Sequence, residues 1–238
     1  MINNVEKHVS DWFINLKPDK MPISFYIIRK SLLGAVTELK PKLYGRVLDL
    51  ACGVMPYKEF LKNDLIEEYI GIDLEPTEYH HDVKPDFYWD GNKIPLEDAS
   101  VDYVIATEFL EHYFDTTHIL KEIRRVLKPG GTFFFTVPGV WPLHEVPYDY
   151  HRFTPFGLEE HFKKSEFTFW EIKPLGGFHY HLALSFALWN DFRLLSRYKK
   201  ILKPFLRPFV EFLIKKDNKT LPFKNGQLYS GLYGFVTK

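Results

Sequence analysis

Two short apolar runs limit the folds open to this chain more than any other feature. V-D-Y-V-I-A at 101–106 and T-F-F-F-T-V at 132–137 are nearly continuous in apolar residues, many of them β-branched or aromatic. Such runs suit strands covered on both faces, as in a parallel sheet flanked by helices. Between them, Ile119, Leu120, Ile123, Val126 and Leu127 fall on one side of a helix spanning Thr116–Leu127, and K-P-G-G after it reads as a glycine cap. Strand, amphipathic helix, strand is the unit of a parallel α/β sheet.

The same alternation extends both ways. Apolar residues after Pro22 recur at helical spacing up to Pro41, predicting a helix that leads into a strand at 46–50. A helix from Tyr57 to about Asp64 follows, then strands at Glu68–Asp73 and Val101–Thr107. Residues 138–155 read as an aromatic, proline-rich loop. Thr154 and Pro155 open a short helix, and strands are expected at Phe167–Ile172 and Leu228–Thr237. The expected fold is therefore an α/β, Rossmann-like sheet, mostly parallel, with helices on both faces. It is read as one domain, with a lead-in at 1–44, a core at 45–175, an insertion at 182–225 and a final strand at 226–238.

The insertion differs in character. Ten Lys or Arg face three acids across 182–225, and apolar residues recur at three and four, so one or two amphipathic helices are expected, broken or restarted at Pro204 and Pro208. A lid over an acceptor pocket is the favoured reading, with peripheral contact to anionic lipid through 191–216 as the rival. Over the whole chain 31 basic residues balance 31 acidic ones, which argues against nucleic acid as a partner. A lone Cys52, an N-terminus without a signal-peptide pattern and the lack of a long apolar stretch make a cytoplasmic protein the expectation.

In open parallel sheets ligands bind beyond the carboxyl ends of the strands. The first strand ends D-L-A-C-G, where Ala51 and Gly53 let backbone N–H groups approach a ligand beside Asp49. The second ends G-I-D-L, where Asp73 can accept two hydrogen bonds from a ribose diol. Asp90 and Gly91 stand in a loop where a carboxylate could accept from an adenine amino group. The fourth strand ends A-T-E-F-L-E-H and delivers Thr107, Glu108 and His112 to the same rim. Each acid alone reads equally well as a turn or cap residue.

Taken in order, L-D-L-A-C-G, G-I-D-L-E-P, I-P-L-E-D-A-S-V-D-Y-V-I-A-T-E-F-L-E-H and L-K-E-I-R-R-V-L-K-P-G-G-T-F-F-F-T-V-P resemble the class I S-adenosylmethionine-dependent methyltransferases, in their type 11-like, small-molecule or glycan branch. The resemblance is dense over 45–140. It implies a seven-stranded sheet with an antiparallel last strand and S-adenosyl-L-methionine as cofactor. Asp49, Ala51 and Gly53 would line the methionine end, and Asp73, followed by Leu74, would hold the ribose. Asp90 and Gly91 would meet the adenine, with Thr107 and Glu108 flanking the transfer site. Where the family commonly has a second glycine this chain has Met55, followed by Pro56 and Tyr57. This reads as a variant turn in which proline fixes φ and glycine's freedom is not needed.

Methyl transfer from a sulfonium needs an aligned nucleophile and, for a hydroxyl, a proton acceptor. The loop P-G-V-W-P-L-H-E-V-P-Y-D-Y-H-R-F-T-P supplies His144 as the first candidate base, with His112 second. Tyr148, Asp149, His151 and Arg152 are candidates for acceptor binding, although an Asp149–Arg152 pair could equally pin the loop. The loop form is similar to that of methyltransferases of bacterial glycan synthesis, which favours O-methylation of a sugar or small molecule. His80-His81-Asp82 and His179-Tyr180-His181 lack a third ligand placed by spacing, so no metal is expected from them. The rival readings are a non-catalytic cofactor- or partner-binding module and a nicotinamide-dependent reductase, the latter opposed by the missing G-x-G-x-x-G.

Overall fold

The computed structural model describes residues 8–74, 83–218 and 221–238. In chain order the elements are α1 (Ile23–Leu39), β1 (Gly45–Leu50), α2 (Lys58–Leu61), β2 (Ile66–Leu74), β3 (Phe87–Trp89), β4 (Val101–Thr107), α3 (Thr116–Val126), β5 (Leu127–Pro138), α4 (Pro155–Lys164), β6 (Phe169–Pro174), α5 (Phe178–Phe192), α6 (Ser196–Lys216) and β7 (Gly231–Thr237). They form a seven-stranded sheet in the order β3-β2-β1-β4-β5-β7-β6. All pairs are parallel except those of β7, which runs antiparallel to both β5 and β6.

The apolar runs behave as double-sided strands. Phe133 and Phe135 point into one core layer and Phe134 into the other, all three fully buried, because successive strand side chains alternate faces. On the first face α3 packs Ile119, Leu120, Ile123 and Val126, and α4 packs Leu158 and Phe162; on the second, α1 packs Leu32, Ala35, Val36 and Leu39. Asp115 caps α3 by accepting from the His118 amide at 3.0 Å. Thr154 caps α4 by accepting from the Gly157 amide at 3.0 Å, with Pro155 in the first turn.

Three local expectations change. The helix expected from Tyr57 to Asp64 is the single turn α2, because Lys62 turns extended and Asn63 takes the Leu65 amide at 2.8 Å. K-P-G-G does not cap α3. That helix ends at Val126, and Gly130, at φ +77°, lies within β5, whose register against β4 shifts there. Gly131 sits so close to its neighbours that a Cβ would lie 2.9 Å from the Lys128 carbonyl and 3.0 Å from that of Asp102. Finally, Pro204 and Pro208 lie inside α6 and do not break it. Both are on its exposed side, where water can take the carbonyls their rings leave free, while Leu206, Val210 and Leu213 remain buried. The helices α5 and α6 pack against Ile23 and Ile27 of α1 and against Val140 and Trp141.

Candidate functional site

The strand order reverses between β1 and β4, and beyond their carboxyl ends lies the crevice where open α/β sheets bind ligands. The first turn of that rim is unusual in backbone. Ala51, Gly53 and Met55 all have positive φ, at 55°, 52° and 47°. Met55 therefore keeps the left-handed conformation that a glycine would adopt freely, at a steric cost of roughly 1 kcal/mol, and Pro56 does not replace it. The Met55 side chain lies over Gly71 of β2, where an added Cβ would come within 2.6 Å of its sulfur. A variant turn is thus present, but glycine's backbone freedom is still required of it.

Around this turn the rim residues converge. The Gly53 amide donates to Asp73 Oδ2 at 2.6 Å, and Asp73 Oδ1 accepts from the Leu74 amide at 2.7 Å. Asp49 is buried and accepts from the Tyr69 hydroxyl at 2.7 Å. Burial, reinforced by Asp73, pushes its carboxyl up to about 7 against the pull of Tyr69 and Lys58. A carboxyl so poised gains most from a cation beside it. Further along, Leu74, Tyr88, Trp89 and Asp90 line a cleft of about 590 Å³. Gly91 follows at φ +79°, but Asp90 Oδ1 is spent on its own turn, accepting from the Asn92 and Lys93 amides at 2.8 and 3.2 Å.

At the end of β4, Thr107 is half-buried and Glu108 takes a left-handed φ of 52°. Glu108 accepts from the Thr136 hydroxyl at 2.8 Å, and burial pushes it too up to about 7. The next turn carries Glu111 and His112. His112 Nδ1 lies 3.0 Å from the Tyr148 carbonyl, and its ring centroid is 4.7 Å from that of His144. The two candidate bases, 32 positions apart in sequence, are therefore neighbours in space.

The loop above them is locked by Asp149. Its carboxylate, almost wholly buried, accepts from Arg152 at 2.5 and 2.8 Å and from the His144 amide at 3.2 Å, and stands 3.2 Å from His144 Nδ1. The Arg152 guanidinium holds Asp149 far below the usual carboxylate range. Arg152 also reaches the carbonyls of His151 and Trp141. Asp149 and Arg152 thus form the pinning pair. The His151 ring bonds the Phe114 carbonyl, and the Tyr148 side chain is exposed. Beside them a cleft of about 530 Å³ is lined by Val140, Trp141, Asp149, His151, Arg152 and Leu188. Another cleft, of about 620 Å³ between α1 and α6, contains none of the rim residues.

Comparison with known proteins agrees with the fold. The methyltransferase domain family matches residues 48–135, from β1 through β5. The 27-O-demethylrifamycin SV methyltransferase of Amycolatopsis mediterranei is 33% identical over 120 residues, covering 42% of this chain and 44% of that enzyme. In structure, the methyltransferase solved with the Haloferax volcanii Trm112 activator covers 99% of this chain and 94% of its own, at a TM-score of 0.60 and 18% identity. Haemonchus contortus phosphoethanolamine N-methyltransferase 2, solved with S-adenosyl-L-methionine, covers 88% of this chain and 52% of its own, at a TM-score of 0.53 and 18% identity. Residues 48–135 thus match a methyltransferase domain, and the sheet around them has the fold of S-adenosylmethionine-dependent methyltransferases. It spans no more than about half the length of the first curated relatives it matches.

S-adenosylmethionine is the cofactor of this family. Some residues of this rim escaped the sequence reading. Arg29 comes from α1, where burial pulls its guanidinium down against the attraction of Tyr57 and Glu108. A helix that approaches the rim from outside the motif-bearing core leaves no spacing signal. Glu111 did leave one, an acid three residues after Glu108 and directly before His112. His179 and His181 lie two apart on a helix, which turns them to different sides, and His80-His81-Asp82 is outside the described residues.

Proposed function

We propose that this chain binds S-adenosylmethionine in the crevice over β1, β2 and β4 and transfers its methyl group to a hydroxyl of a small molecule or glycan sugar. What carries the reading is the meeting, at one rim, of the Gly53–Asp73 turn with the His112 and His144 pair. Asp73 would take the ribose diol, Asp49 and Glu108 would face the cationic methionine end, and the cleft beside Leu74 and Asp90 would take the adenine. Nδ1 of His144 is turned to the Asp149 carboxylate, which leaves Nε2 to receive a proton. In the transfer the acceptor O–H proton passes to that nitrogen, the oxygen forms the new O–CH₃ bond, and the S–CH₃ electron pair returns to sulfur as a neutral thioether. Relatives named for a rifamycin and for demethylmenaquinone support a small-molecule acceptor.

One feature favours an acceptor presented at a lipid surface. Outward of the packed faces of α5 and α6, Phe186, Trp189, Ile201, Phe205, Phe209 and Phe212 stay exposed, and the Phe186 and Phe209 rings meet at 5.5 Å. Exposed Arg193, Arg197, Lys215 and Lys216 flank them, matching anionic headgroups. Among the described residues no helix is long and apolar enough to cross a membrane, so contact would be peripheral. The test is incubation of the chain with methyl-labelled cofactor and a lipid-plus-glycan extract. A labelled, alkali-stable ether is expected. Binding of cofactor with no labelled product from any extract would leave a non-catalytic module as the correct reading.

A further inference from the structure

We propose that Glu111, His112 and His144 form a binding site for a divalent transition metal ion of the zinc type. One ligand atom from each, a carboxylate oxygen and two ring nitrogens, lies within 4.8 Å of the others. Two imidazoles and a carboxylate are a donor set that zinc and its first-row neighbours favour when a position is left open for water or substrate. Ligands around such an ion stand about 3.3–3.6 Å apart, given bonds of about 2.0–2.2 Å, so side-chain adjustments of roughly an ångström close the set. Glu111 Oε1 and His112 Nε2 are already 3.7 Å apart.

Two further observations point to a cation. Glu111 is fully buried, and among the described residues neither of its carboxylate oxygens has a hydrogen-bond partner. Buried carboxylates without partners are costly. A divalent ion would supply the missing partner. The second observation is the outer ring of contacts. Each histidine commits Nδ1 to an acceptor, His112 to the Tyr148 carbonyl at 3.0 Å and His144 to the Asp149 carboxylate at 3.2 Å. That arrangement fixes the ring and leaves Nε2 for a metal, and it is the support that metal-bound histidines usually have. Arg152 anchors Asp149 in turn. Glu145 stands on the open side, 3.9 Å from His112 Nε2, with 55% of its side chain exposed.

The ion's chemical role rests on the methyl-transfer reading above; its binding does not. An acceptor hydroxyl in the open position would lose its proton to solvent on coordination, as metal-bound water does, and the alkoxide would attack the methyl carbon. With the ion bound, His144 is a ligand, and the metal takes over the proton-releasing task that the empty site leaves to His144.

The untagged full chain, stripped by chelator, is titrated with cobalt(II) as a visible-absorption probe and loaded with zinc for elemental analysis after gel filtration. Expected are d–d bands with nitrogen and oxygen character, displaced by zinc, and about one zinc retained per chain. Glu111→Gln and His112→Ala should lose retention, and Asp149→Asn should weaken it by about 10- to 100-fold. Each variant is checked by circular dichroism and by calorimetric binding of S-adenosylmethionine, so that a misfolded variant is replaced by its conservative partner, His112→Gln or Asp149→Glu. Wild-type chain that retains no zinc, or retention unchanged in folded Glu111→Gln, His112→Ala double variant, overturns the proposal. Zinc retained by a chain that fails to bind S-adenosylmethionine would overturn the proposed function and leave the metal site standing.

Discussion

Cofactor binding should expel a proton from Asp49, and this can be measured. Burial opposes the charge of this carboxyl more than the Tyr69 hydroxyl supports it, which pushes it up to about 7. The ammonium and sulfonium of S-adenosylmethionine would favour the anion, so binding selects ionised Asp49. Affinity then follows the ionised fraction, which is about nine-tenths at pH 8 and about one-tenth at pH 6 for a group titrating near 7. The expected loss on acidification from pH 8 to pH 6 is roughly tenfold, about 1.4 kcal/mol. Glu108 is raised to a similar value, so the measurement belongs in the Glu108→Gln background, which removes that second carboxyl. Calorimetry in two buffers of different ionisation enthalpy counts the protons: about 0.9 released per cofactor bound at pH 6 and about 0.1 at pH 8. Adding Asp49→Asn should flatten the dependence and lower the affinity. A flat profile in Glu108→Gln, or one that keeps its slope after Asp49→Asn, would refute the assignment.

Other outcomes follow from the same geometry. Asp73→Ala removes both the proposed ribose acceptor and the anchor of the Gly53 amide, and calorimetry should show cofactor affinity down by about 100-fold or more. His144→Ala should leave cofactor affinity within about twofold while turnover of labelled methyl falls by about 10²- to 10⁴-fold. Gly53→Ala meets no atom within 4 Å, so its cost is the left-handed φ alone, about 1 kcal/mol, read as a Tm lower by about 2–4 °C. Phe205→Asp with Phe209→Asp should abolish sedimentation with anionic vesicles and leave that with neutral vesicles at background; equal sedimentation of variant and wild type would remove the lipid-surface reading.

Much of the fold was legible because strand and helix periods are local. Val101–Thr107 and Thr116–Val126 fall where the apolar pattern puts them, since those residues have nowhere else to bury. Where two local rules competed, the outcome needed the neighbours. K-P-G-G could cap a helix or bend a strand, and the β4 partner made it a strand. Pro204 and Pro208 should break a helix, yet both rings face solvent and the buried stripe of Leu206, Val210 and Leu213 holds α6 together.

The order of Asp49, Ala51, Gly53, Asp73, Asp90 and Glu108 along the chain was enough to suggest a cofactor crevice, because five of them stand at or just beyond the carboxyl end of a strand that periodicity reveals, while Asp90 follows β3, a three-residue strand too short to leave such a pattern. Sequence alone thus determined most of the sheet, and through its resemblance to a family suggested the ligand-bearing end and the type of cofactor. What only the tertiary structure decided is which distant groups meet there. His112 ends a turn after β4 and His144 belongs to the loop after β5, and parallel pairing of those strands sets their rings 4.7 Å apart. The same packing shuts the Glu111 carboxylate away from water and, among the described residues, from any hydrogen-bond partner, and turns Asp149 toward Arg152 and His144. Burial and convergence are properties of the packed chain, and no spacing along the sequence encodes them.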